Sequence, residues 1–196
     1  MQSYILPLLS CLILFSCNNK TAGVIQLNAN QFQSTIHEDA ILLDVRTAEE
    51  IASGQIDGAS HLNFYMQGFS NKIALIQKEK EVFVYCHSGG RSNKAAKALK
   101  ELGHPKVYNL DGGIIAWKKN NLPLSKSTRT TSKAHTFSQD SIKNILNSET
   151  AVVMAFQTKW CAPCKKMKPI IAELEEEYIG KIQFVKVDLD ANTELS

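Results

Sequence analysis

Two cysteine placements in this sequence could do chemistry. Cys86 closes the apolar run Glu81-Val82-Phe83-Val84-Tyr85 and is followed by His87-Ser88-Gly89-Gly90-Arg91-Ser92. Cys161 and Cys164 stand in Trp160-Cys161-Ala162-Pro163-Cys164-Lys165. A thiol acts as a nucleophile only as its thiolate, so the question in each case is what would lower its proton affinity. The first N–H groups of a helix have no partner within the helix. A tight Gly-containing loop can turn such groups toward one point and make an anion-binding nest. A thiol at the centre of His87–Ser92 is expected to ionise readily, with Arg91 adding a positive charge. The same ring would hold the outer sulfur of a persulfide, which is also an anion. Cys86 and Arg91 are thus candidate catalytic residues, and His87, Ser88, Gly89, Gly90 and Ser92 candidate substrate-binding residues.

The C-x-x-C pair has its own mechanism. At a helix N-terminus the dipole and free N–H groups favour the Cys161 thiolate. Cys164, one turn on, can attack a mixed disulfide formed at Cys161. Half of a zinc site is the competing reading. No second C-x-x-C or paired His completes one, so redox chemistry is preferred and no metal or other cofactor is expected.

These residues need elements to position them. Ala40–Val45, Glu81–Cys86 and Lys106–Leu110 are short apolar runs that read as buried strands. Between the last two, Ala95, Ala96, Leu99 and Leu102 recur at helical steps among Lys94, Lys97, Lys100 and Glu101, which predicts a helix over 92–102 stopped by Gly103. Strands alternating with helices argue for an α/β fold with a parallel sheet covered on both faces. Gly112-Gly113 predicts a turn before a last helix, and Trp117 a core position. His61 reads as a packed histidine, and His37 and His104 as surface residues. Farther on, a helix over 137–146 capped by Ser138 or Asp140, a strand over 151–156, a helix from the C-x-x-C to Tyr178 and a strand over 182–188 are expected.

Composition bounds the rest. The chain has 196 residues, 44% of them hydrophobic, enough for one good core or two small ones. A formal net charge of +3 with basic and acidic residues interspersed gives no reason to expect nucleic acid as a partner. Five cysteines, at 11, 17, 86, 161 and 164, do not form the close regular pattern of a disulfide framework. Residues 124–136, LSKSTRTTSKAHT, are rich in Ser, Thr and Lys and read as a solvated linker between a domain over 24–123 and a second unit over 137–196.

The first residues, Tyr4 to Phe15, are apolar and uncharged, too few to span a bilayer but suited to an export signal. The ending Leu14-Phe15-Ser16-Cys17 resembles a bacterial lipoprotein signal, although no Lys or Arg precedes it and Phe15 is bulky. That resemblance implies cleavage after residue 16, lipidation at Cys17 and a chain anchored to a membrane on its extracytoplasmic side. An ordinary signal peptide or uncleaved anchor is the alternative.

Four ordered signatures resemble a single rhodanese domain. They are Leu42-Leu43-Asp44-Val45-Arg46, Gly54-Gln55-Ile56-Asp57-Gly58-Ala59, Tyr85 through Ser92, and Leu110-Asp111-Gly112-Gly113 with Trp117. The resemblance implies the α/β rhodanese fold. It also implies transfer of sulfane sulfur from a small donor such as thiosulfate to a thiol acceptor, through a persulfide on Cys86. Related phosphatases carry one more loop residue, since a tetrahedral phosphate needs a wider ring, so the spacing from Cys86 to Arg91 favours sulfur. Asp44 and Arg46 are supporting residues. Asp44 could reach Arg91, or the two could simply serve structure, which is the favoured reading.

Residues 160–165 and Lys186-Val187-Asp188 look like the first half of a thioredoxin domain. By that resemblance Cys161 attacks and Cys164 resolves, serving a thiol acceptor or client protein. Ala155 stands where that family buries an Asp, Ala162 where it has Gly, and its later strands are not present, so an incomplete and marginally stable second unit is expected.

Overall fold

The computed structural model describes residues 23–125 and 137–192. The leader with Cys17, most of the linker and the last four residues lie outside the described residues. Five strands, β1 (Ile25–Leu27), β2 (Ile41–Asp44), β3 (Ser60–His61), β4 (Val82–Tyr85) and β5 (Val107–Leu110), form one sheet in the order β1-β5-β4-β2-β3. Every pairing is parallel. The three strands legible in the sequence are the central ones; β1 and β3 are edge strands of three and two residues.

The two faces follow from side-chain alternation. Ile41, Leu43, Val82, Val84 and Val107 pack on one side with α3 (Phe69–Ile73) and α4 (Gly90–Glu101). Leu42, Phe83, Tyr85, Tyr108 and Leu110 pack on the other with α1 (Ala29–Thr35) and α5 (Gly113–Lys119), where Trp117 is buried. With both faces covered, every residue of β2, β4 and β5 is buried, which is why these strands read as continuous apolar runs. A short helix, α2 (Ala48–Ile51), follows β2 and opens on a capping box between Thr47 and Glu50.

Helix α4 starts two residues before the expected Ser92, because Gly89 takes a left-handed conformation (φ 95°) and lets the chain turn straight into it. Gly103 ends it, as expected. His104 is a correction: it is 1% exposed rather than a surface residue. The turn at Gly103 brings the His104 N–H back to Leu99 O (3.1 Å), which tucks the ring inside.

The second unit contains α6 (Gln139–Leu146), β6 (Ala151–Gln157), α7 (Ala162–Glu177) and β7 (Ile182–Asp188). Ser138 caps α6, accepting from Ser141 N at 3.0 Å. β6 and β7 pair in parallel along their whole length. Phe156, Ile170 and Ile179 stay exposed on this unit. Its other side is docked on the first domain. Ile76 and Cys161 form an antiparallel bridge, with Gln77 N donating to Trp160 O (3.1 Å) and Ala162 N to Leu75 O (2.8 Å). The Gln77 side chain donates to Lys159 O (2.8 Å) and the Ser60 hydroxyl to Asp190 (3.1 Å). Trp160 and Cys161 belong to the same apolar cluster as Ile76 and Val84, so the two units share a core. Ser125, at the start of the expected linker, is pinned to Gln55 by reciprocal N–H to carbonyl bonds of 2.9 Å.

Candidate functional site

Strand β4 lies between β5 and β2 and delivers Cys86 beyond its carboxyl end, the usual place for a site in a parallel sheet. Cys86 is a free thiol, 1% exposed. Its Sγ accepts from Gly89 N at 3.1 Å and from the Ser92 hydroxyl at 3.3 Å. Burial pushes the thiol up, but donation from the Ser92 hydroxyl and from the Ser92, Ser88 and Gly89 N–H groups outweighs it, and the net shift is down. Ser92 has one hydrogen for two acceptors, since it also lies 3.1 Å from Gly89 O. Ionising Cys86 makes the sulfur the stronger acceptor of the pair.

The loop keeps its N–H groups pointed inward because its carbonyls are held elsewhere. Ile114 N donates to Cys86 O (2.8 Å) and Ile115 N to His87 O (3.2 Å). The free N–H groups at the start of α5 thus hold the carbonyls of Cys86 and His87, while those of Ser88, Gly89 and Ser92 serve the sulfur. Gly113 (φ 59°) makes this fit possible. A Cβ there would lie 2.5 Å from Cys86 O and 2.6 Å from His87 O.

Arg91 departs from its expected setting. Its guanidinium is bidentate on Glu50, at 2.7 and 2.6 Å, rather than on Asp44 or the sulfur. It also lies over the Tyr65 ring, 5.3 Å from the centroid. Hydrogen bonds from Arg91 hold the Glu50 carboxyl down at about 2, and Glu50 in turn raises Arg91. The cradle is therefore built of main-chain amides and the Ser92 hydroxyl, with the Arg91–Glu50 pair beside it. His87 is half exposed, its Nδ1 3.6 Å from Glu50.

Asp44 and Arg46 form a fully buried pair (2.6 Å). Arg46 also donates to Glu50 O (3.1 Å) and Gly54 O (2.9 Å), tying α2 to the sheet. This is the structural reading of the two residues; the alternative contact from Asp44 to Arg91 is not made, because Arg46 occupies both Asp44 oxygens. His61 packs half-buried, with Nε2 2.7 Å from Arg46 O.

Cys161 and Cys164 are joined as a disulfide. Cys161 is the N-cap of α7, and its sulfur accepts from Cys164 N at 3.2 Å. It is 7% exposed, because the segment Leu75–Gln77 lies across it. Sequence reasoning missed Glu50, Tyr65 and this cover. Glu50 had a signal, Thr47-x-x-Glu50, but that signal speaks of a helix start and not of Arg91.

Comparison with known proteins agrees with this architecture. Residues 28–120 match the family model for a rhodanese-like domain, and residues 131–196 match the thioredoxin family model. A sulfurtransferase from Allochromatium vinosum is 41% identical over 87 residues, covering 44% of this chain and 79% of that protein. The putative sulfurtransferase YtwF of Bacillus subtilis is 38% identical, covering 44% of this chain and 81% of that protein. Thioredoxin C-2 of Corynebacterium nephridii is 48% identical over 46 residues, which span 43% of that protein and 24% of this chain. The chain belongs to the rhodanese-like family, with a thioredoxin-family segment following its rhodanese-like domain.

Proposed function

We propose that the chain is a thiol-dependent sulfurtransferase that carries sulfane sulfur on Cys86. The Cys86 thiolate attacks the outer sulfur of a small donor such as thiosulfate. A Cys86 S–S bond forms, the donor's S–S bond breaks, and sulfite leaves with the electron pair. The outer sulfur of the persulfide, an anion, is then stabilised by the N–H groups of residues 88–92. A thiolate acceptor takes that sulfur and returns Cys86 as thiolate. Arg91 serves the donor's negative charge at the mouth, sharing it with Glu50. The observation that carries this reading is the buried Cys86 sulfur held by Gly89 N and the Ser92 hydroxyl (3.1 and 3.3 Å). With thiosulfate as donor and dithiothreitol as acceptor, the chain is expected to release sulfide and to gain the mass of one sulfur atom on Cys86. Turnover that survives in Cys86→Ser would overturn the proposal.

The disulfide between Cys161 and Cys164 supports a second reading, a thiol–disulfide oxidoreductase in which the first domain is accessory. It also offers a coupling. The reduced pair could take the outer sulfur from Cys86, releasing sulfide as the pair oxidises to the disulfide. Sulfide release from persulfidated chain should fall in Cys161→Ser if the two are coupled, and equal rates would separate them. We further place the chain on the extracytoplasmic side, anchored through a lipid on Cys17. Radiolabelled palmitate incorporation lost in Cys17→Ser is the expected result.

A further inference from the structure

The permanently charged residue of the 87–92 loop, Arg91, is already engaged. Both arms of its guanidinium end on Glu50, at 2.7 and 2.6 Å. The pair is held from outside as well. Thr47 N donates to Glu50 Oε2 at 2.9 Å, and the Tyr65 ring lies against the guanidinium with Phe64 packed edge-on behind it. The Arg91 side chain is 16% exposed and that of Glu50 27%, so this fork on a carboxylate is partly shielded from water. His87 Nδ1 lies 3.6 Å from the same carboxylate, and Arg46 is taken up by Asp44. Glu50 titrates at about 2 and carries its charge throughout the neutral range.

The sum of these charges decides which donor the mouth favours. Arg91 and Glu50 cancel. The amides and hydroxyl that hold the sulfur are dipoles and add no net charge. With Cys86 as thiolate, the site is left with one negative charge. A dianionic donor meets that charge with about twice the repulsion felt by a singly charged one.

We propose that Glu50 is a charge filter: by holding Arg91 it makes the Cys86 site favour organic sulfane donors with a single negative charge over the thiosulfate dianion. The inference rests on Cys86 as the sulfur carrier and adds the class of donor. The bond changes are those of the transfer already described. The Cys86 thiolate attacks the sulfane sulfur of a donor R–SO2–S−, a Cys86 S–S bond forms, the donor's S–S bond breaks, and R–SO2− leaves with the electron pair. Glu50 acts through Arg91 and is a positioning residue.

The first arm of the test does not depend on sulfur transfer. The full chain, with Cys161 and Cys164 oxidised, is treated with anionic iodoacetate or neutral iodoacetamide, and modification of Cys86 is followed by peptide mass spectrometry. Both reagents meet the same thiolate, so their rate ratio cancels any change in its abundance. Glu50→Gln is expected to raise the iodoacetate-to-iodoacetamide ratio about fivefold, the effect of one unit charge a few ångströms away near a protein surface. Glu50→Asp, which keeps the charge, is expected to leave the ratio within about twofold. The second arm compares thiosulfate with methanethiosulfonate, in which a methyl group replaces one charged oxygen. Glu50→Gln is expected to shift kcat/KM about fivefold toward thiosulfate; the donors' intrinsic reactivities cancel between native chain and variant. The native chain alone also decides, so the result does not hang on one variant folding. Added salt speeds loading by thiosulfate when site and donor share a sign, and slows it when Arg91 is free to meet the donor. An alkylation ratio unmoved in folded Glu50→Gln, or thiosulfate loading that slows with salt in the native chain, overturns the filter. Turnover of neither donor overturns the sulfurtransferase reading, and the donor preference with it, whatever the alkylation ratio.

Discussion

Gly113 stands against the carbonyl of Cys86, so close that a single added methyl group would lie 2.5 Å from that oxygen. Residues far apart in the sequence thus set the shape of one loop. Gly113→Ala should push the carbonyl away and break the Ile114 N–H bond to it. Because φ is 59° there, the backbone resists as well. Sulfur transfer at neutral pH is expected to fall by about tenfold or more, one unit of lost thiolate stabilisation being ~1.4 kcal/mol. Initial rates with thiosulfate, beside circular dichroism to show the fold intact, check this.

Ser92→Ala removes the side-chain donor to the Cys86 sulfur while the main-chain donors remain. The Cys86 thiol should rise toward its ordinary value, since a hydrogen bond to a charged group contributes about 1.5–3 kcal/mol. Less thiolate is then present at pH 7. The pH dependence of iodoacetamide alkylation should shift upward in the variant; an unshifted profile would assign the acidity to the main chain alone.

The Arg91–Glu50 pair should persist to strongly acid pH. Glu50 titrates at about 2 in the folded chain, below its unfolded value of ~4.3, so its contribution is present above ~4.3 and is lost as pH falls through about 2. Glu50→Gln should destabilise by about 1–2 kcal/mol by weakening both the pair and the cap on α2. Urea unfolding at pH 7 measures it.

Buried His104 makes the opposite end of the domain acid-sensitive. Burial, and after it the Lys78 and Lys100 charges, depress its affinity for a proton. Stability is full above the ordinary histidine value of ~6.5 and declines as pH falls toward and through the depressed folded value. Melting curves at pH 8 and pH 5 should separate for the native chain and draw together in His104→Leu.

The asymmetry of what could be read from the sequence has a physical basis. Central strands covered on both faces are mostly apolar, Asp44 and Asn109 being the buried exceptions, so β2, β4 and β5 announce themselves. The loop after Cys86 was legible because strand, glycines and helix follow one another without a gap. Edge strands of two and three residues carry too few side chains to show a pattern. Arg91 could be located but not its partner, since Glu50 lies 41 positions away and reaches it only through the tertiary fold. His104 reads as polar and hence exposed; only the return of the chain at Gly103 buries it. The contact between Ile76 and Cys161 is a property of two units together, and neither stretch alone contains it.

That contact changes what can be learned by dissection. Excising the second domain would strip the apolar cover from one side of Ile76, which is 1% exposed, and leave Leu75 O and Gln77 N to water. The same backbone runs on into β4 and ends at Cys86. A rhodanese-like fragment cut free of its neighbour is thus a newly surfaced object with an altered lead-in to Cys86, and its kinetics describe the fragment rather than the whole chain.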